Sequence, residues 1–450
     1  MSANHLEELA QDVVRQAQAA GATDAECTIA EGDEFSSNVR MREVESLKEA
    51  GSRGVGLRIL IGRKTGASYT SDLSREGIGR LVKSAIELAD ITTEDPHAGL
   101  PEPEEFGKIP DDLRLFSPRV AELDTGLKID TAKRAEHAAL SYDARISNSD
   151  GASFDSYVGR HVFANSRGFA GDYRTSYCSL STSPVARDGE SMERDYWFTL
   201  ARTFEGLEAP EKVGTTAARR ALRRLNAVKV ETQKAPVVFE PRTARSLLDS
   251  VFEAVHGMSI YRHESFLAEK LGQAVASEAV TVVDDGTLPG LFGTSPFDDE
   301  GVPSRRTVVI ERGVLKSYLL NTYAARKLGM KTTANASRGL TGNAGIGHGN
   351  FFLEGGVQTP EEIIAGVPNG FYVTELMGFG VNVVTGDYSR GAAGLWIRNG
   401  ELAFAVSEVT IAGNLNEMLH GIEAVGNDLE FRGSVAAPTI KIGEMTVGGR

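Results

Sequence analysis

Short apolar runs that end in tight-turn sequences recur through the second half of the chain and restrict it to a β-rich fold. Three such runs begin at Val280, Thr307 and Leu395 and end in Asp-Asp-Gly, Glu-Arg-Gly and Arg-Asn-Gly. Asn-Gly and Asp-Gly suit hairpin turns because these residues reach positive φ at little cost. One clear helical pattern, over residues 246–257, precedes these runs. We therefore predict a β-rich domain over residues 226–450, with one prominent helix near its start.

The first half of the chain has helical patterns on either side of strand patterns. A helix that Asn4 caps and Gly21 ends carries an apolar face, and β-type patterns follow to about residue 70. A second helix is predicted over residues 74–89. Helix, strands and helix in this order indicate an α/β domain, which we assign to residues 1–225. The whole chain is thus predicted to be α+β, with two domains.

Further elements are predicted in the rest of this half. Helical patterns follow Asp130 and cover residues 209–225, with strands between them over residues 153–201. Residues 92–118 contain five prolines and many carboxylates without any period, which predicts an extended connection on the surface. Four arginines in the last helix repeat at helical spacing and predict a solvated helix face: Arg219, Arg220, Arg223 and Arg224.

The overall charge and the cysteines limit the partners and the compartment. A formal net charge of −14 argues against nucleic-acid binding, because phosphate recognition needs clustered lysine and arginine. Apolar runs fall short of the ~18 residues of a membrane span, and no export signal is visible. Cys27 and Cys178 form no CxxC pair, so we expect two buried thiols in a reducing compartment. We therefore expect a cytoplasmic protein without nucleic-acid or membrane partners.

One segment contains enough histidine and glutamate to suggest a metal site. Glu253 and His256 are three residues apart on the predicted helix, and His263 and Glu264 follow soon after. A zinc pair of the HExxH type needs a second histidine four residues after the first, where this chain has isoleucine or leucine. The spacing favours a solvated helix end, and a metal site built from these four residues stays an alternative. The other histidines are scattered singly.

Three pairs of sequence blocks in the second half closely resemble the PmbA (TldE) branch of the TldD/PmbA family of metallopeptidases. The pairs are SPFDDEG (295–301) with NTYAARKLG (321–329), VTELMG (373–378) with TGDYSRGAAG (385–394), and VSEVTIAGN (406–414) with VGNDL (425–429). The segment over residues 246–266 also resembles the matching helix of that branch. The first half is similar to the family's α/β domain in order and length.

This resemblance implies a two-subunit assembly. The TldD-type subunit carries His-Glu-x-x-x-His on the helix of its C-terminal domain and a cysteine near its C-terminus, and these residues bind zinc. The glutamate acts there as a base on the metal-bound water. The substrates of the family are extended or unfolded peptides, including modified peptide natural products, which are held in a closed chamber.

The chain departs from the zinc-binding pattern at each of these positions. The second histidine expected after His263 and Glu264 is replaced by Ala268, and no histidine precedes Glu253. The loop over residues 430–437, where the TldD type has its cysteine, contains none. We therefore expect no cofactor in this chain and zinc in the TldD-type partner.

The resemblance leads to three hypotheses for the function. In the first, the chain is a non-catalytic subunit, inactive alone, that forms a heterodimer with a TldD-type subunit and helps to hold extended peptides by strand addition. In the second, it is an independent metallopeptidase with an irregular site of His256, His263, Glu253 and Glu264. In the third, it is a homodimer that binds peptides without turnover.

The first hypothesis assigns peptide contacts to two glycine-containing turns. Glycine lets another backbone approach closely, although hairpin turns need glycine equally. The residues expected to contact peptide are Gly378, Gly380, Asp387, Tyr388, Ser389, Arg390 and Gly391.

Overall fold

The computed structural model describes residues 5–449. The strands of the first half of the chain form a single antiparallel sheet. Its strands are β1 Asp24–Arg40, β2 Glu43–Ile61, β3 Lys64–Thr70, β4 Ile146–Asn165, β5 Ala170–Asp188, β6 Ser191–Arg194 and β7 Trp197–Ala201. They lie in the order β3-β2-β1-β4-β5-β6, with β7 beside β5. Strands therefore occupy both regions in which the alternating patterns predicted them.

Helices cover one face of this sheet. They are α1 His5–Ala19, α2 Arg75–Ile91, α3 Pro118–Ala121, α4 Thr125–Leu140 and α5 Pro210–Leu222. Cys27 and Ile29 pack in one core with α1 and α2, and Phe35 packs in a second core with α3, α4 and α5. These β1 residues share one parity, so both helix groups lie on the same side.

The ends of these helices follow their capping residues. The Ser74 hydroxyl accepts a hydrogen bond from the Gly77 N–H and begins α2, as predicted. Helix α4 starts before the predicted position because the Asp124 carboxylate accepts from two backbone N–H groups of its first turn. The cap predicted at Asn4 lies outside the described residues.

Both cysteines are buried and unpaired, as the sequence predicts. Cys27 and Cys178 lie on the helix-covered face of the sheet, in different cores. Burial raises the pKa of each thiol to about 12. At neutral pH both side chains therefore act as small apolar groups.

The second half of the chain contains two larger sheets. Its strands are β8 Gln233–Phe239, β9 Val282–Asp285, β10 Arg306–Glu311, β11 Val314–Leu315, β12 Ala336–Ser337, β13 Gly345–Ile346, β14 Asn350–Leu353, β15 Asn369–Met377, β16 Asp387–Arg398, β17 Glu401–Asn414, β18 Ile422–Val425, β19 Val435–Ala436 and β20 Ile440–Gly448. One sheet has the order β17-β16-β15-β8-β20-β18, and β17 also pairs with β20, which closes a barrel. The other has the order β11-β10-β9-β14-β19.

The prominent helix of this half packs in one core with strands from both sheets. The helices here are α6 Pro241–Val255, α7 Gly257–Tyr261, α8 Thr322–Leu328, α9 Pro360–Ala365 and α10 Leu415–His420. Leu247, Val251 and Val255 of α6 share a core with residues of β8, β9 and β14. Helix α6 begins before the predicted position because Glu240 has the extended backbone of an N-cap residue and Pro241 suits the first turn.

The predicted fold class is confirmed, since an α/β first half precedes a β-rich second half. The predicted boundary between residues 225 and 226 falls between α5 and β8. Across residues 5–449, no helix combines the length and the apolar character needed to cross a membrane.

The proline-rich segment over residues 92–118 is extended but is not confined to the surface. Leu100 is fully buried, and its carbonyl oxygen accepts a hydrogen bond of 2.6 Å from Arg326 of α8. The Asp95 carboxylate accepts a hydrogen bond of 2.7 Å from the Tyr323 hydroxyl. The segment therefore ties the first half of the chain to the second.

The arginine cluster of α5 is not a solvated face, and that prediction was wrong for three of its four members. Arg220 is buried and binds Glu240 at 2.6 Å and Asp195 at 3.1 Å. Arg223 binds the same Glu240 at 3.0 Å. Arg224 pairs with Glu193 and Glu375, and Arg219 alone is exposed. These ion pairs join α5 to the start of α6, because carboxylates from elsewhere in the chain reach the arginines.

The burial of this cluster predicts a large effect of Arg220→Ala on stability. The substitution leaves the Glu240 and Asp195 carboxylates buried with fewer partners, so we expect the free energy of unfolding to fall by about 3–5 kcal/mol. Arg219→Ala, which removes an exposed arginine from the same helix, is the control and should change stability by less than about 0.5 kcal/mol. Urea unfolding of both variants measures the difference, and equal stabilities would contradict the assignment.

Candidate functional site

The exposed side of α6 carries charged residues at helical spacing. Arg245, Asp249 and Glu253 are exposed and follow one another at intervals of four residues. Phe252 and His256 are half-buried beside them. The opposite side of the helix fills the core, so this strip is the side that α6 offers to a ligand. We call the strip and the residues around it the α6 cleft.

Three other segments reach the α6 cleft. The ring of His348, which precedes β14, lies 4.8 Å from the Phe252 ring. Arg390 of β16 is close enough to act electrostatically on Asp249. A Cβ atom on Gly433, in the loop before β19, would lie 3.8 Å from the Arg245 guanidinium. The cleft therefore combines residues that are far apart in the sequence.

Charge and burial act against each other at Asp249. Asp249 keeps accessible surface, but the neighbouring groups partly desolvate its carboxyl group and raise its pKa, and Arg245, His348 and Arg390 oppose that rise. Burial also lowers the pKa of His256, and Glu253 opposes this shift. His256 Nδ1 is buried and has no hydrogen-bond partner. A carboxylate that the protein partly desolvates beside several cations is typical of functional clefts.

The four residues of the alternative metal site are not gathered around one point. Glu253 and His256 belong to the α6 cleft, whereas His263 and Glu264 are exposed in the turn after α7. His263 has a φ of 57°, and Glu264 lies 3.7 Å from Arg262. In the part of the chain that the structure describes, no three His, Cys, Asp or Glu side chains are grouped as metal ligands.

The two turns expected to contact peptide form the end of the β15–β16 hairpin, where Met377 pairs with Gly391. Gly378 has a φ of 77°, and a Cβ on Gly380 would lie 1.9 Å from the Ser389 carbonyl oxygen, so both glycines are needed for this turn. The backbone N–H of Phe266, after α7, donates to the Val383 carbonyl at 2.9 Å. This bond holds the hairpin end next to the α6–α7 segment.

The seven residues of this expectation differ in their access to a ligand. Tyr388 is only 2% exposed, and its ring belongs to the core, where burial raises its pKa to about 12. A peptide could therefore meet Tyr388 only through its backbone. The other residues have accessible surface: Gly378, Gly380, Asp387, Ser389, Arg390 and Gly391.

The structure also brings forward residues that the sequence reasoning missed. Arg245 and Asp249 could have been found from their positions eight and four residues before Glu253. Phe379, at the end of the β15–β16 hairpin, is fully exposed, and an exposed phenylalanine is a signal only once burial is known. No sequence signal connects His348 with α6, because a tertiary contact brings them together.

A second surface lies on the sheet face opposite α1–α5. Tyr157 covers two paired glycines there, since a Cβ on Gly32 or Gly159 would lie 2.4 or 2.2 Å from its hydroxyl oxygen. The Tyr157 ring stacks on Tyr177 at a centroid distance of 5.6 Å. Both tyrosines are half-buried and form a flat aromatic surface.

Comparison with known proteins matches nearly the whole chain to one family. Models of the PmbA/TldA metallopeptidase match domain 1 at residues 25–89, the central domain at 118–225 and the C-terminal domain at 232–449. Metalloprotease PmbA of Escherichia coli O157:H7 is 39% identical over 433 residues, which cover 96% of this chain and 94% of the relative. The Metalloprotease PmbA homolog of Haemophilus influenzae is 35% identical over 439 residues, covering 97% and 94%.

Solved structures have the same fold. A crystal structure from Bacteroides thetaiotaomicron, described as a proposed modulator of DNA gyrase, superimposes with a TM-score of 0.92 and 28% identity, and each chain is covered completely. TldE from Thermococcus kodakarensis superimposes with a TM-score of 0.88 over 98% of this chain and 100% of that one. Its 22% identity supports the fold alone.

The raised pKa of Asp249 predicts a pH-dependent stability. A carboxyl group whose pKa is higher in the folded state disfavours folding increasingly as pH rises above its unfolded value of about 4. Asp249→Asn should therefore increase the free energy of unfolding at pH 7 by a few tenths of a kcal/mol, because solvent screens this exposed group. The gain should vanish towards pH 4.

Urea unfolding at pH 4, 5 and 7 measures this dependence. Asp130→Asn, which neutralises an exposed aspartate in the middle of α4, is the matched control and should show no such trend. A difference between wild type and Asp249→Asn that does not change with pH would contradict the assignment.

Proposed function

This chain belongs to the PmbA/TldD family of metallopeptidases, and we propose that it is a non-catalytic subunit within that family. In this proposal it forms a heterodimer with a TldD-type subunit, which holds the zinc ion, and helps that subunit to degrade unfolded or modified peptides. The two unpaired thiols suit a reducing compartment, and we propose the cytoplasm as the location.

The observation that carries the proposal is the set of side chains in the α6 cleft. The zinc-binding members of the family have His-Glu-x-x-x-His on this helix, whereas α6 presents Arg245, Asp249 and Glu253. Gly433, in the loop that carries a cysteine in those members, faces Arg245. Zinc sites use imidazole, thiolate and carboxylate ligands, and a cationic guanidinium in the same cleft opposes the binding of a metal ion. These residues do not fit a zinc ion, which supports a role other than metal catalysis.

The surfaces around the cleft support a role in holding peptides. The end of the β15–β16 hairpin has accessible backbone at its glycines and an exposed aromatic side chain at Phe379. Backbone hydrogen bonds bind extended peptides with little regard to sequence, and aromatic surfaces bind their side chains. Such a surface suits a subunit that positions substrates for a catalytic partner.

Metal analysis tests the absence of a zinc site from this subunit. The purified chain should contain far less than one zinc ion per molecule, and His256→Ala and His263→Ala should not change that content. The TldD-type subunit, purified in the same way, is the positive control. Stoichiometric zinc that is lost in either variant would favour the independent metallopeptidase instead.

Co-expression tests the pairing. We expect this chain to co-purify with the TldD-type subunit of its own cell and to cleave an unfolded peptide only in that complex, because the catalytic metal is contributed by the partner. Each subunit alone and both together are assayed with the same peptide. Cleavage by this chain alone, or peptide binding by a homodimer that does not associate with the partner, would contradict the proposal.

Substitution of Phe379 tests the peptide-holding surface. Phe379→Ala should lower kcat/KM of the complex by about three- to tenfold, mainly through KM, because it removes an apolar contact worth about 1 kcal/mol. Leu402→Ala, at an exposed leucine of the β16–β17 hairpin, is the control and should have no effect. Loss of the complex itself, rather than a change in KM, would assign Phe379 to the subunit interface.

A further inference from the structure

A cavity of about 100 Å³ lies beside the start of α6, where the two halves of the chain meet. Its apolar lining comes from Trp197 and Phe198 of β7, Pro241 of α6 and the segment over residues 435–437. Arg245 lines this cavity and also belongs to the α6 cleft. The cavity therefore adjoins the surface to which we assign peptide binding. We call it the Trp197 cavity.

The apolar part of the Trp197 cavity is formed before a ligand arrives. Ala436 and Ala437 are each 2% exposed, and their small side chains leave room beside them. The Arg432 guanidinium lies over the Trp197 ring at 4.3 Å and donates a hydrogen bond of 2.7 Å to the Phe198 carbonyl oxygen. These contacts hold the aromatic wall in place, and a preformed apolar cavity binds apolar groups at little cost in ordering.

The size of the cavity suits one aliphatic side chain. A cavity needs about 10–15 Å³ of such volume to hold one water molecule. About 100 Å³ therefore holds several groups of that size, which agrees with a branched side chain such as that of leucine. Arg245 and Glu430 line the cavity and are exposed, so the cavity opens to solvent beside them.

The charged groups around the cavity are mainly cationic. Four arginines and two glutamates line it: Arg220, Arg242, Arg245, Arg432, Glu240 and Glu430. Both glutamates are neutralised by arginine, since Glu240 binds Arg220 at 2.6 Å and Glu430 binds Arg432 at 2.8 Å. The whole chain has a net charge of −14, so this excess of cations is a local departure. It favours a ligand with an anionic group.

Arg245 is the arginine that remains available to such a ligand. The other three are held by carboxylates of the first half of the chain: Arg220 and Arg242 by Asp195, and Arg432 by Glu208. Within residues 5–449, no carboxylate lies within ion-pair distance of Arg245, and Asp249 interacts with it only from farther away. Its guanidinium lies beside Gly433, in the loop that leads to residues 435–437. An accessible guanidinium can bind a carboxylate through two parallel hydrogen bonds.

We propose that the Trp197 cavity binds the carboxy-terminal residue of a peptide, with an apolar side chain in the cavity and the terminal carboxylate on Arg245. This proposal rests on the peptide-holding role given above. A carboxy-terminal residue carries a carboxylate and a side chain on one carbon atom, which matches a cation at the mouth of an apolar cavity. Because Arg245 also belongs to the α6 cleft, the preceding residues of the peptide meet that cleft.

Fluorescence titrations of the isolated, unaltered chain test the proposal. The chain has two tryptophans, and Trp396 is buried in the core, so the signal of a ligand in the cavity comes from Trp197. Three probes are N-acetyl-tri-alanine peptides that end in leucine acid, leucine amide or glycine acid. A fourth, N-acetyl-Ala-Ala-Glu-Leu amide, carries its carboxylate on a side chain instead of the chain end.

We expect the leucine acid to bind about tenfold or more tightly than the leucine amide, because a charge-assisted pair with Arg245 is gained. It should also bind about tenfold or more tightly than the glycine acid, because the leucine side chain leaves water. Equal binding of the leucine acid and its amide, or no binding of any probe, overturns the proposal. Binding of the glutamate-containing amide as tight as that of the leucine acid overturns the assignment to a chain end.

Two variants locate the effect. Arg245→Gln removes the charge from an exposed side chain, so the protein should fold and the preference for the acid should disappear. Arg219→Gln, at an exposed arginine of α5 that does not line the cavity, is the matched control and should retain the preference. Retention of the preference in Arg245→Gln overturns the assignment to this cavity. The comparison of the probes on the unaltered chain does not depend on the folding of any variant.

The result is separable from the test of subunit pairing. Peptide binding is measured without the TldD-type subunit, so failure of the two chains to associate leaves the preference for the acid unaffected. A complex that forms and cleaves peptides while the isolated chain shows no such preference would overturn only the role of the Trp197 cavity.

Discussion

The buried ion pairs around Glu240 connect the two halves of the chain at the start of α6. Glu240 directly precedes this helix and binds Arg220 of α5 and Arg223 at its end, and Asp195 completes the cluster through Arg220. Buried charges are unfavourable unless every partner is present, so this arrangement requires α5 and α6 to lie in one relative position. The exposed strip of α6 and the surfaces around it depend on that position.

A rigid α6 has consequences for the cleft. Its apolar side is held in the core by both sheets, so Arg245 and Asp249 remain on the open side. His348 contacts Phe252 beside this strip and also lines a polar cavity that includes Asp284. Burial raises the pKa values of two carboxyl groups, Asp249 and Asp284, and His348 acts electrostatically on both. A carboxyl group with a raised pKa lowers the stability of the fold at neutral pH. Residues that lower stability in this way are often retained because they take part in ligand binding.

Much of the fold could be predicted from local patterns. Alternating runs, capping residues such as Ser74 and the Gly turns of the second half reflect interactions within a few residues, and the strands and helices appear where these patterns predict them. Burial of Cys27 and Cys178 follows from the apolar character of an unpaired thiol. The site was less predictable, since Phe379 and His348 have no local signal and Tyr388 proved to be buried.

The sequence by itself determined the fold class, the family and the lack of a paired histidine motif on α6, because each is written in neighbouring residues. Only the tertiary structure decided what the charged groups do. The arginines of α5 have the spacing of a solvated face, but distant carboxylates bury and pair three of them. Asp284 looks like an ordinary strand residue, but burial raises the pKa of its carboxyl group to about 6. Electrostatic roles depend on what is near in space, and the one-dimensional pattern does not contain those distances.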